Sequence, residues 1–504
     1  MALSWIGLSA LACIALYFSA ILHRRRQNLK HISGPSLAAV TDLWRARIQF
    51  FGPFVPSLQK LHQTYGPVVR IGPNTVSISD PSHIAIVANP RAGFAKADSY
   101  SPLRVFINGK SIGSIIDMQD EDRNRAIRRA VGAAFTTNNL LDYEPNMNAT
   151  LSALLENIRT HHLHSSFNLY RLIQLFQLDF LFLLAFSSAP GHLEQNTDVL
   201  GMSHTLYKRI FHWYFWQPLP RLERFIYQNP LWSHLLTVPS PWARTGAQHL
   251  ASRLASSSAL SSATKSAKLD LLQKYILAST ARPDLIPPSS LAGLVNSTIS
   301  AGADTTSGGI TTVLYLILRH HQVYSKLLQE LESTGISVPL RHAQVEHLPY
   351  LDATIREALR LSAPLAVPLE RTVPAAGCTL GKTVLPPGTV VGCAPWVVHQ
   401  DKAVFGGDAH LFRPERYLDA TTEEVQVMER ANIAWGLGGR ACLGRHIAEL
   451  ELKVVIPTLL LSFDLKLCDP KLDIPFGNMG TFEMELKPIL VTAKERDQSD
   501  ESRA

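Results

Sequence analysis

The sequence is poor in cysteine, and its few cysteines follow none of the patterns that staple small secreted domains or bind zinc. Five cysteines occur in 504 residues, irregularly spaced and without a C-x-x-C pair: Cys13, Cys378, Cys393, Cys442 and Cys468. This number and spacing argue against a disulfide framework. Isolated thiols are typical of a reducing compartment such as the cytosol. One of them can still serve a special purpose, so the neighbours of each cysteine matter.

Charge is also scarce, because charged residues make up 18% of the chain against 46% for hydrophobic ones. Disorder requires the opposite balance, so we expect a large buried core. The net charge is +7, but apart from Arg24–Arg26 the basic residues are scattered. A nucleic-acid-binding protein would show basic stripes with interleaved aromatic residues. The sequence has none, and no nucleic-acid partner is expected.

One uncharged hydrophobic run stands out near the N-terminus. Residues Ala2–Leu22 carry no charged side chain, and a helix of that length can cross the bilayer core. Because the basic cluster follows the run, we predict a retained anchor with the rest of the chain in the cytosol, not a cleaved signal peptide. A buried core helix is the alternative. The predicted organisation is a transmembrane anchor at 1–23, a basic Gly-Pro linker at 24–40, one globular domain at 41–493 and a polar tail at 494–504.

The remaining pattern predicts a mainly α fold with a small β-rich region. Helical periodicity dominates from about residue 120 to 360 and returns at Ala441–Phe463. Val68–Ile71 and Thr75–Ser79 are rich in β-branched residues and are separated by Gly-Pro-Asn, which indicates a hairpin. Thr389–Trp396 is predicted as another short strand. Without βαβ alternation or a strong internal break, the globular part is expected to form one domain.

The densest cluster of unusual residues surrounds Cys442. The segment Trp435–Gly444 reads W-G-L-G-G-R-A-C-L-G. Glycines on both sides of the cysteine, including Gly436 and Gly444, allow the backbone to wrap closely around a sulfur ligand. Arg440 can donate charge-assisted hydrogen bonds to a carboxylate. Most isolated cysteines are inert buried thiols, but four glycines and an arginine within nine residues favour a ligand at this position.

This segment resembles the cysteine-loop signature of the cytochrome P450 family, F-x-x-G-x-R-x-C-x-G, with Trp435 in the usual phenylalanine position. The resemblance implies the fold of that family and a bound haem b, with the Cys442 thiolate as the iron ligand. It also implies that Gly436 and Gly444 shape the loop and that Arg440 contacts a haem propionate. The likeness covers most of the chain, and its second half is most similar to fungal microsomal members of the pisatin-demethylase and benzoate-hydroxylase type.

A second segment, Ala301–Thr306, lies in a helical stretch from about residue 289 to 320 and resembles the oxygen-binding motif of the family, A-G-x-D-T. Small residues allow such a helix to approach the haem closely. The resemblance implies that Asp304 and Thr305 deliver protons during oxygen activation, because an acid beside an alcohol can relay protons from water. The alternative is a small-residue packing face with a solvated aspartate.

Two further segments resemble structural parts of the family. Glu357 and Arg360 match its E-x-x-R helix, and their i, i+3 spacing allows them to pair on one helix face. Phe412–Tyr417 resembles the F-x-P-E-R segment, in which Arg416 would join this pair in a buried charge network behind the haem. Pairs at this spacing are common on any helix, so we assign them structural and not catalytic roles.

Two arginines outside the cysteine loop are implied as ligands of the haem propionates. Arg371 occupies the position of the propionate-binding arginine that follows the E-x-x-R helix. Arg128 stands where the W-x-x-x-R or H-x-x-x-R helix of the family carries a second one, although Asn124 replaces the Trp or His. Arg125 and Arg129 are close enough in sequence to compete with Arg128 for this role.

The function that the resemblance implies is that of a haem-thiolate monooxygenase, which inserts one oxygen atom of O2 into a lipophilic small molecule in secondary-metabolite biosynthesis. Electrons would come from NADPH through NADPH–cytochrome P450 reductase, with cytochrome b5 as a further donor. With the anchor, this indicates a single-pass protein of the endoplasmic reticulum membrane with a cytosolic catalytic domain. The expected pocket segments are mostly apolar, and the last three lack Arg and Lys, which favours a neutral substrate: Ser101–Ser114, Val295–Ala301, Ala363–Leu369 and Asn478–Phe482.

Several features leave alternatives open. A haem-thiolate isomerase or dehydratase that does not use O2 is the closest rival, although such members tend to lose the acid–alcohol pair. Gly109–Gly113 matches the G-x-S-x-G elbow of serine hydrolases, which requires a strand before it and a helix after it. His161–His164 lacks a second ligand cluster, so a solvated turn is expected. Phe211–Leu236 holds eight aromatic residues, as expected either for a substrate entrance at a membrane or for ordinary core packing.

Overall fold

The computed structural model describes residues 28–107, 110–112, 114–136, 139, 141–229, 241–256, 269–336, 338, 340–474 and 480–496. The predicted anchor at 1–23, the start of the linker and the tail beyond residue 496 lie outside the described residues. Within them, the chain is mainly helical with small sheets, as the sequence predicts.

Helices make up most of the described chain. In chain order they are α1 (Leu43–Phe51), α2 (Phe54–Tyr65), α3 (Pro81–Ala88), α4 (Glu121–Gly132), α5 (Glu144–His161), α6 (Leu169–Phe186), α7 (Met202–Trp216), α8 (Pro220–Tyr227), α9 (Pro241–Ser256), α10 (Leu271–Ala281), α11 (Leu291–Arg319), α12 (His321–Ser333), α13 (His342–Val345), α14 (Pro349–Leu361), α15 (Pro395–Val398), α16 (Lys402–Phe405), α17 (Glu415–Leu418), α18 (Thr422–Ala431) and α19 (Arg445–Ser462). Helices α11 and α14 agree closely with the predicted helical stretches around residues 289–320 and 350–361.

The strands form small sheets at the side of the helices. They are β1 (Val68–Gly72), β2 (Thr75–Ile78), β3 (Ala95–Lys96), β4 (Val105–Ile107), β5 (Lys110–Ile112), β6 (Phe167–Asn168), β7 (Leu369–Thr372), β8 (Cys378–Leu380), β9 (Thr383–Leu385), β10 (Val390–Cys393), β11 (Phe463–Leu467) and β12 (Leu490–Glu495). The largest sheet has the order β1-β2-β10-β7-β3, and its antiparallel β1–β2 pair is the predicted hairpin. Strand β10 ends earlier than predicted because Pro395, a residue favoured at the first turn of a helix, begins α15.

The long helix α11 is the centre of the core. It packs against α6, α19 and α14, and residues such as Ile310, Val313 and Leu314 are fully buried. Helix α6 is rich in apolar residues and is the one helix of the described chain long and apolar enough to span a membrane. Most of it is buried inside the protein, which is the environment of a core helix.

Candidate functional site

The loop before α19 folds back on itself around Cys442. The backbone N–H of Cys442 donates to the carbonyl oxygen of Trp435 at 2.7 Å. This closure uses left-handed backbone at Gly436, with φ of 86°, and at Gly438, with φ of 49°. Glycine adopts such angles without the steric penalty of a side chain. Of the four glycines noted in the sequence, Gly436 and Gly438 are therefore required by the turn that presents the cysteine.

Helix α19 begins at Arg445 and not at Ala441, so the predicted start is wrong. The amide of Cys442 is already used to close the loop, and helical hydrogen bonding begins only after the N-cap residue Gly444. Cys442 thus lies just before the positive end of α19, as predicted, where a thiolate is favoured. Burial raises the pKa of the Cys442 thiol, whereas the Gly444 N–H and the charge of Arg128 lower it.

Cys442 lies among packed elements and is nevertheless accessible. Burial raises the pKa of its thiol, yet the side chain is exposed. A side chain that has packed neighbours and still has exposed surface lies in a recess between those neighbours. The sulfur is thus available to a ligand that enters between the helices.

One face of α11 is accessible in the same way. In the core helix, Thr298, Ala301, Gly302 and Thr305 are partly exposed, whereas most residues around them are buried. Their spacing of i, i+3, i+4 and i+7 places them on a single helix face. The hydroxyl of Thr305 donates to the carbonyl oxygen of Ala301 at 2.6 Å. The predicted small-residue face therefore borders open space inside the protein.

Asp304 is adjacent to Thr305 but has a different environment. It is 2% exposed, and its Oδ1 accepts a hydrogen bond from Gln174 Nε2 of α6 at 2.7 Å. Burial is the main cause that raises the pKa of Asp304 to about 7. The alternative of a solvated aspartate is wrong, because this carboxyl is enclosed between α11 and α6.

Two contacts attach the cysteine loop to helix α4. Arg440 Nη2 and Nε donate to the two carboxylate oxygens of Glu121 at 2.7 Å, and its guanidinium also bonds the carbonyls of Ile115 and Met118. Arg128 Nη2 donates to the carbonyl oxygen of Ala441 at 2.6 Å. Arg440, predicted to contact a propionate, is thus largely occupied by protein acceptors.

The structure separates Arg128 from its competitors. Arg125 is exposed and pairs with Asp122 at 3.2 Å, and Arg129 is also exposed. Asn124 is buried and donates from Nδ2 to the Ile115 carbonyl at 2.9 Å. The asparagine that replaces the expected Trp or His therefore supports the segment before α4.

Sequence reasoning missed a lysine in the same region. Lys96 lies on β3, paired with β7 beside Arg371. Its ammonium bonds the carbonyl of Ile116 and lies 4.0 Å from the centre of the Tyr100 ring. Burial, followed by the positive charges of Arg371 and Arg440, lowers the pKa of Lys96. No motif marked Lys96, because its significance depends on β3 pairing with a distant strand.

Cations outnumber carboxylates around this part of the site. The charges of Arg371 and Arg440 act on Lys96, and that of Arg440 also acts on Arg128. The carboxylates that act on Lys96 are Asp117 and Glu121, and Glu121 also acts on Arg128. A third carboxylate nearby, Glu370, is paired with Arg45 at 2.5 Å. An excess of positive charge in a partly buried site favours a dianionic ligand. The two carboxylates of a haem would meet this requirement, and the accessible Cys442 sulfur would supply a donor for its iron.

The predicted charge network behind the loop is present. Arg360 Nε and Nη2 donate to the two oxygens of Glu357 at 2.7 and 2.8 Å, and Arg416 Nε donates to Glu357 at 3.1 Å. Glu357 and Arg360 are fully buried. Arg360 also bonds the carbonyls of His399 and Ala409 at 2.7 Å. The network joins α14 to the segments that precede the cysteine loop, which is a structural role.

The hydrolase and metal alternatives find no support in the described residues. Ser111 lies within β5, which pairs with β4 as a hairpin, and a nucleophile elbow requires a strand-to-helix turn. The two ends of the motif, Gly109 and Gly113, lie outside the described residues. His161–His164 forms the end of α5 and a partly exposed turn, as predicted. Among the described residues, no group of three His, Cys, Asp or Glu could hold a metal ion.

The glycine-rich loop presents a cysteine just before one core helix, and an accessible threonine lies on another. This arrangement is that of a haem-thiolate protein. The Cytochrome P450 family model matches residues 44–492. The chain therefore belongs to the cytochrome P450 family, and the predicted resemblance is confirmed.

Individual relatives support the same family assignment. The chain is 33% identical over 477 residues to cytochrome P450 monooxygenase mpaDE of Penicillium roqueforti, an alignment that covers 92% of this chain and 55% of that protein. It is 34% identical over 484 residues to cytochrome P450 monooxygenase pkfB of Emericella nidulans, with 92% of both covered. A cytochrome P450 monooxygenase of Aspergillus terreus is 32% identical over 461 residues, with 89% of this chain and 92% of the relative covered. The chain thus spans about half of the first relative and nearly all of the other two.

Proposed function

We propose that this protein is a haem-thiolate monooxygenase that inserts one oxygen atom of O2 into a lipophilic small molecule, with NADPH as the ultimate electron source. The observation that carries the proposal is the enclosed yet accessible Cys442 before α19, beside a core helix whose exposed face includes Thr305. The names of the relatives, which are cytochrome P450 monooxygenases, support the same class.

The residues of the chain have distinct tasks in this proposal. Haem b, when bound, supplies the iron chemistry that activates O2. Cys442 is its thiolate ligand, and Arg128, Arg371 and Lys96 hold the propionates, with Arg440 contributing the N–H that its protein partners leave. Gly436 supplies the left-handed backbone that closes the loop, and the Gly444 N–H donates to the sulfur. Asp304 and Thr305 would handle protons, since the alcohol lies on the accessible face of α11 and the acid lies behind it.

An electron donor with an acidic surface would fit the side of the protein that carries the cysteine loop. Exposed basic residues surround this side on α4 and at the start of α19: Arg123, Arg125, Arg129, Arg445 and His446. Opposite charges steer association and set the orientation of a transient complex. We assign this surface to NADPH–cytochrome P450 reductase, with cytochrome b5 as a second donor for the same face.

An exposed apolar patch supports association with the endoplasmic reticulum membrane. It includes Phe50 and Phe51 on α1, Phe211 on α7, and Leu222 and Phe225 on α8. The ring of Phe50 lies 6.2 Å from that of Phe211, so α1 and α7 contribute to one surface. Aromatic side chains are enriched at membrane interfaces. The predicted single-pass anchor at 1–23 would hold this patch at the bilayer, with the catalytic domain in the cytosol.

The substrate proposed for this site is a neutral lipophilic metabolite, of the kind processed in secondary-metabolite biosynthesis. Two cations near the first pocket segment, Arg104 and Arg209, have protein partners. Arg104 pairs with Asp117 at 3.4 Å, and Arg209 of α7 donates to the carbonyl oxygen of Leu103 at 2.5 Å. A substrate carboxylate would have to compete with these partners. The presence of both Asp304 and Thr305 favours oxygen activation over an isomerase or dehydratase that does not use O2.

The test is the difference spectrum of the reduced protein with carbon monoxide, recorded for the wild type, Cys442→Ser and Cys468→Ser. We expect a long-wavelength Soret band in the wild type and in Cys468→Ser, whose cysteine is exposed in the loop after β11. Cys442→Ser should lose this band. Folded wild-type protein without a haem band would reject the proposal, and a normal band in Cys442→Ser would reject the assigned ligand.

A further inference from the structure

Asp304 is connected to the protein surface by two side chains of helix α6. Gln174 Nε2 donates to Asp304 Oδ1 at 2.7 Å, and both side chains are buried. On its other side, Gln174 Oε1 accepts from Arg171 Nη1 at 2.9 Å. The Arg171 side chain is 39% exposed. The three residues therefore form a hydrogen-bonded line from solvent to the centre of α11.

Arg171 determines which way the amide of Gln174 points. A guanidinium can only donate hydrogen bonds, so its partner must be the amide oxygen of Gln174. The amide nitrogen then faces Asp304, to which it can only donate. Because Asp304 meets a donor and not an acceptor, this bond stabilises the ionised carboxylate.

Opposing effects act on the pKa of Asp304. Burial, the largest effect, raises this pKa, and the hydrogen bond from Gln174 lowers it. The resulting pKa is about 7. Among the charges around the carboxyl, Glu485 and Asp198 raise the pKa and Arg171 lowers it. The neighbouring Tyr170 remains a neutral phenol, because burial raises its own pKa.

We propose that Gln174 is a positioning residue for Asp304 and that Arg171, by fixing the orientation of Gln174, completes a line from solvent to this acid. The line holds the resting carboxyl toward α6, beside and not on the face where Thr305 is accessible. Asp304 must release Gln174 to turn toward that face. Its part in turnover rests on the proposed function, whereas the positioning itself does not.

Helix α6 offers a matched control one turn further along. Gln177 is also buried, and it lies next to Glu451 of α19, which is 1% exposed. Burial raises the pKa of Glu451 to about 8, and Gln177 lowers it. Among the described residues no hydrogen bond of ordinary geometry joins Gln177 to Glu451, so its contact with this acid is looser than the 2.7 Å bond of Gln174 to Asp304. The helix thus places two glutamines against two different acids.

The test follows the protonated carboxyl C=O stretch by infrared difference spectroscopy of the resting protein against pH. Asp304→Asn identifies the Asp304 band. In Gln174→Leu we expect this band to persist to a pH about one unit higher, because the donor to the carboxylate is lost. Arg171→Gln should move it in the same direction by less, and it keeps the core intact if Gln174→Leu does not fold. Gln177→Leu should leave it unmoved.

An unchanged Asp304 titration in Gln174→Leu would overturn the proposal. An equal shift in Gln177→Leu would also overturn it, because it would mean that any change in α6 loosens the core. In turnover assays, the pH optimum of Gln174→Leu should rise in parallel with the band. A shifted titration in a protein that gives no thiolate–haem spectrum would reject the proposed function and leave the positioning role intact.

Discussion

Replacing Gly438 by alanine should prevent the cysteine loop from closing. Its φ of 49° is left-handed, a conformation that costs other residues roughly 1–2 kcal/mol. The new Cβ would lie 1.8 Å from the Ala88 carbonyl oxygen, so the loop or the end of α3 must move by about 1.6 Å to reach an ordinary contact of 3.4 Å. Overpacking of this kind costs roughly 1–3 kcal/mol. We expect the free energy of unfolding to fall by about 2–5 kcal/mol in total, with the displacement close to Cys442.

The same loop provides two matched controls. A Cβ at Gly439 would meet only Pro90, at 3.8 Å, and one at Gly444 would meet nothing within 4 Å. The assay compares haem bound per protein and the midpoint of denaturant unfolding for the wild type and the three alanine variants. We expect Gly438→Ala to bind little haem and the controls to remain near the wild type. A Gly438→Ala protein with wild-type haem content and midpoint would refute the reasoning, and equal losses in all three would deny that Gly438 is special.

Three further predictions address the buried charges. Arg360→Met leaves the fully buried Glu357 carboxylate without its main partner and should lower the free energy of unfolding by about 3–5 kcal/mol. The control Arg356→Met removes an exposed ion pair and should lower it by at most about 1 kcal/mol. Equal losses in the two variants would contradict this reasoning. Burial lowers the pKa of His399 to about 3, whereas in the unfolded chain this imidazole binds a proton near pH 6.5. The free energy of unfolding should therefore fall as the pH drops below about 6.5. In unfolding midpoints measured against pH, His399→Gln should make that fall less steep. Lys96→Met should speed haem transfer to apomyoglobin several-fold, whereas Lys466→Met, at an exposed site on β11, should not, and equal rates would remove Lys96 from the haem site.

The sequence predicted correctly those features that residues close together in the chain form by themselves. Gly436 and Gly438 are needed by a turn that spans only a few residues, and the Glu357–Arg360 pair is set by helical spacing. Lys96 and Gln174 gave no signal, because each acquires its partner through packing between distant elements. A buried glutamine such as Gln174 on a mostly apolar helix has the pattern of ordinary core residues. Its role becomes visible only when α6 and α11 are placed side by side.

The partners of Arg440 also become visible only in the folded structure. Proximity to the cysteine suggested a propionate ligand, but four of the five N–H donors of its guanidinium already have protein acceptors. Since Glu121 holds Arg440 and Arg128 holds the Ala441 carbonyl, α4 clamps the loop at the two residues that come directly before Cys442. A clamp of this kind fixes the position of the sulfur, which a ligand to a rigid cofactor requires. The donors that remain for the propionates of the proposed haem then lie mainly on the paired strands β3 and β7, where Lys96 and Arg371 are neighbours.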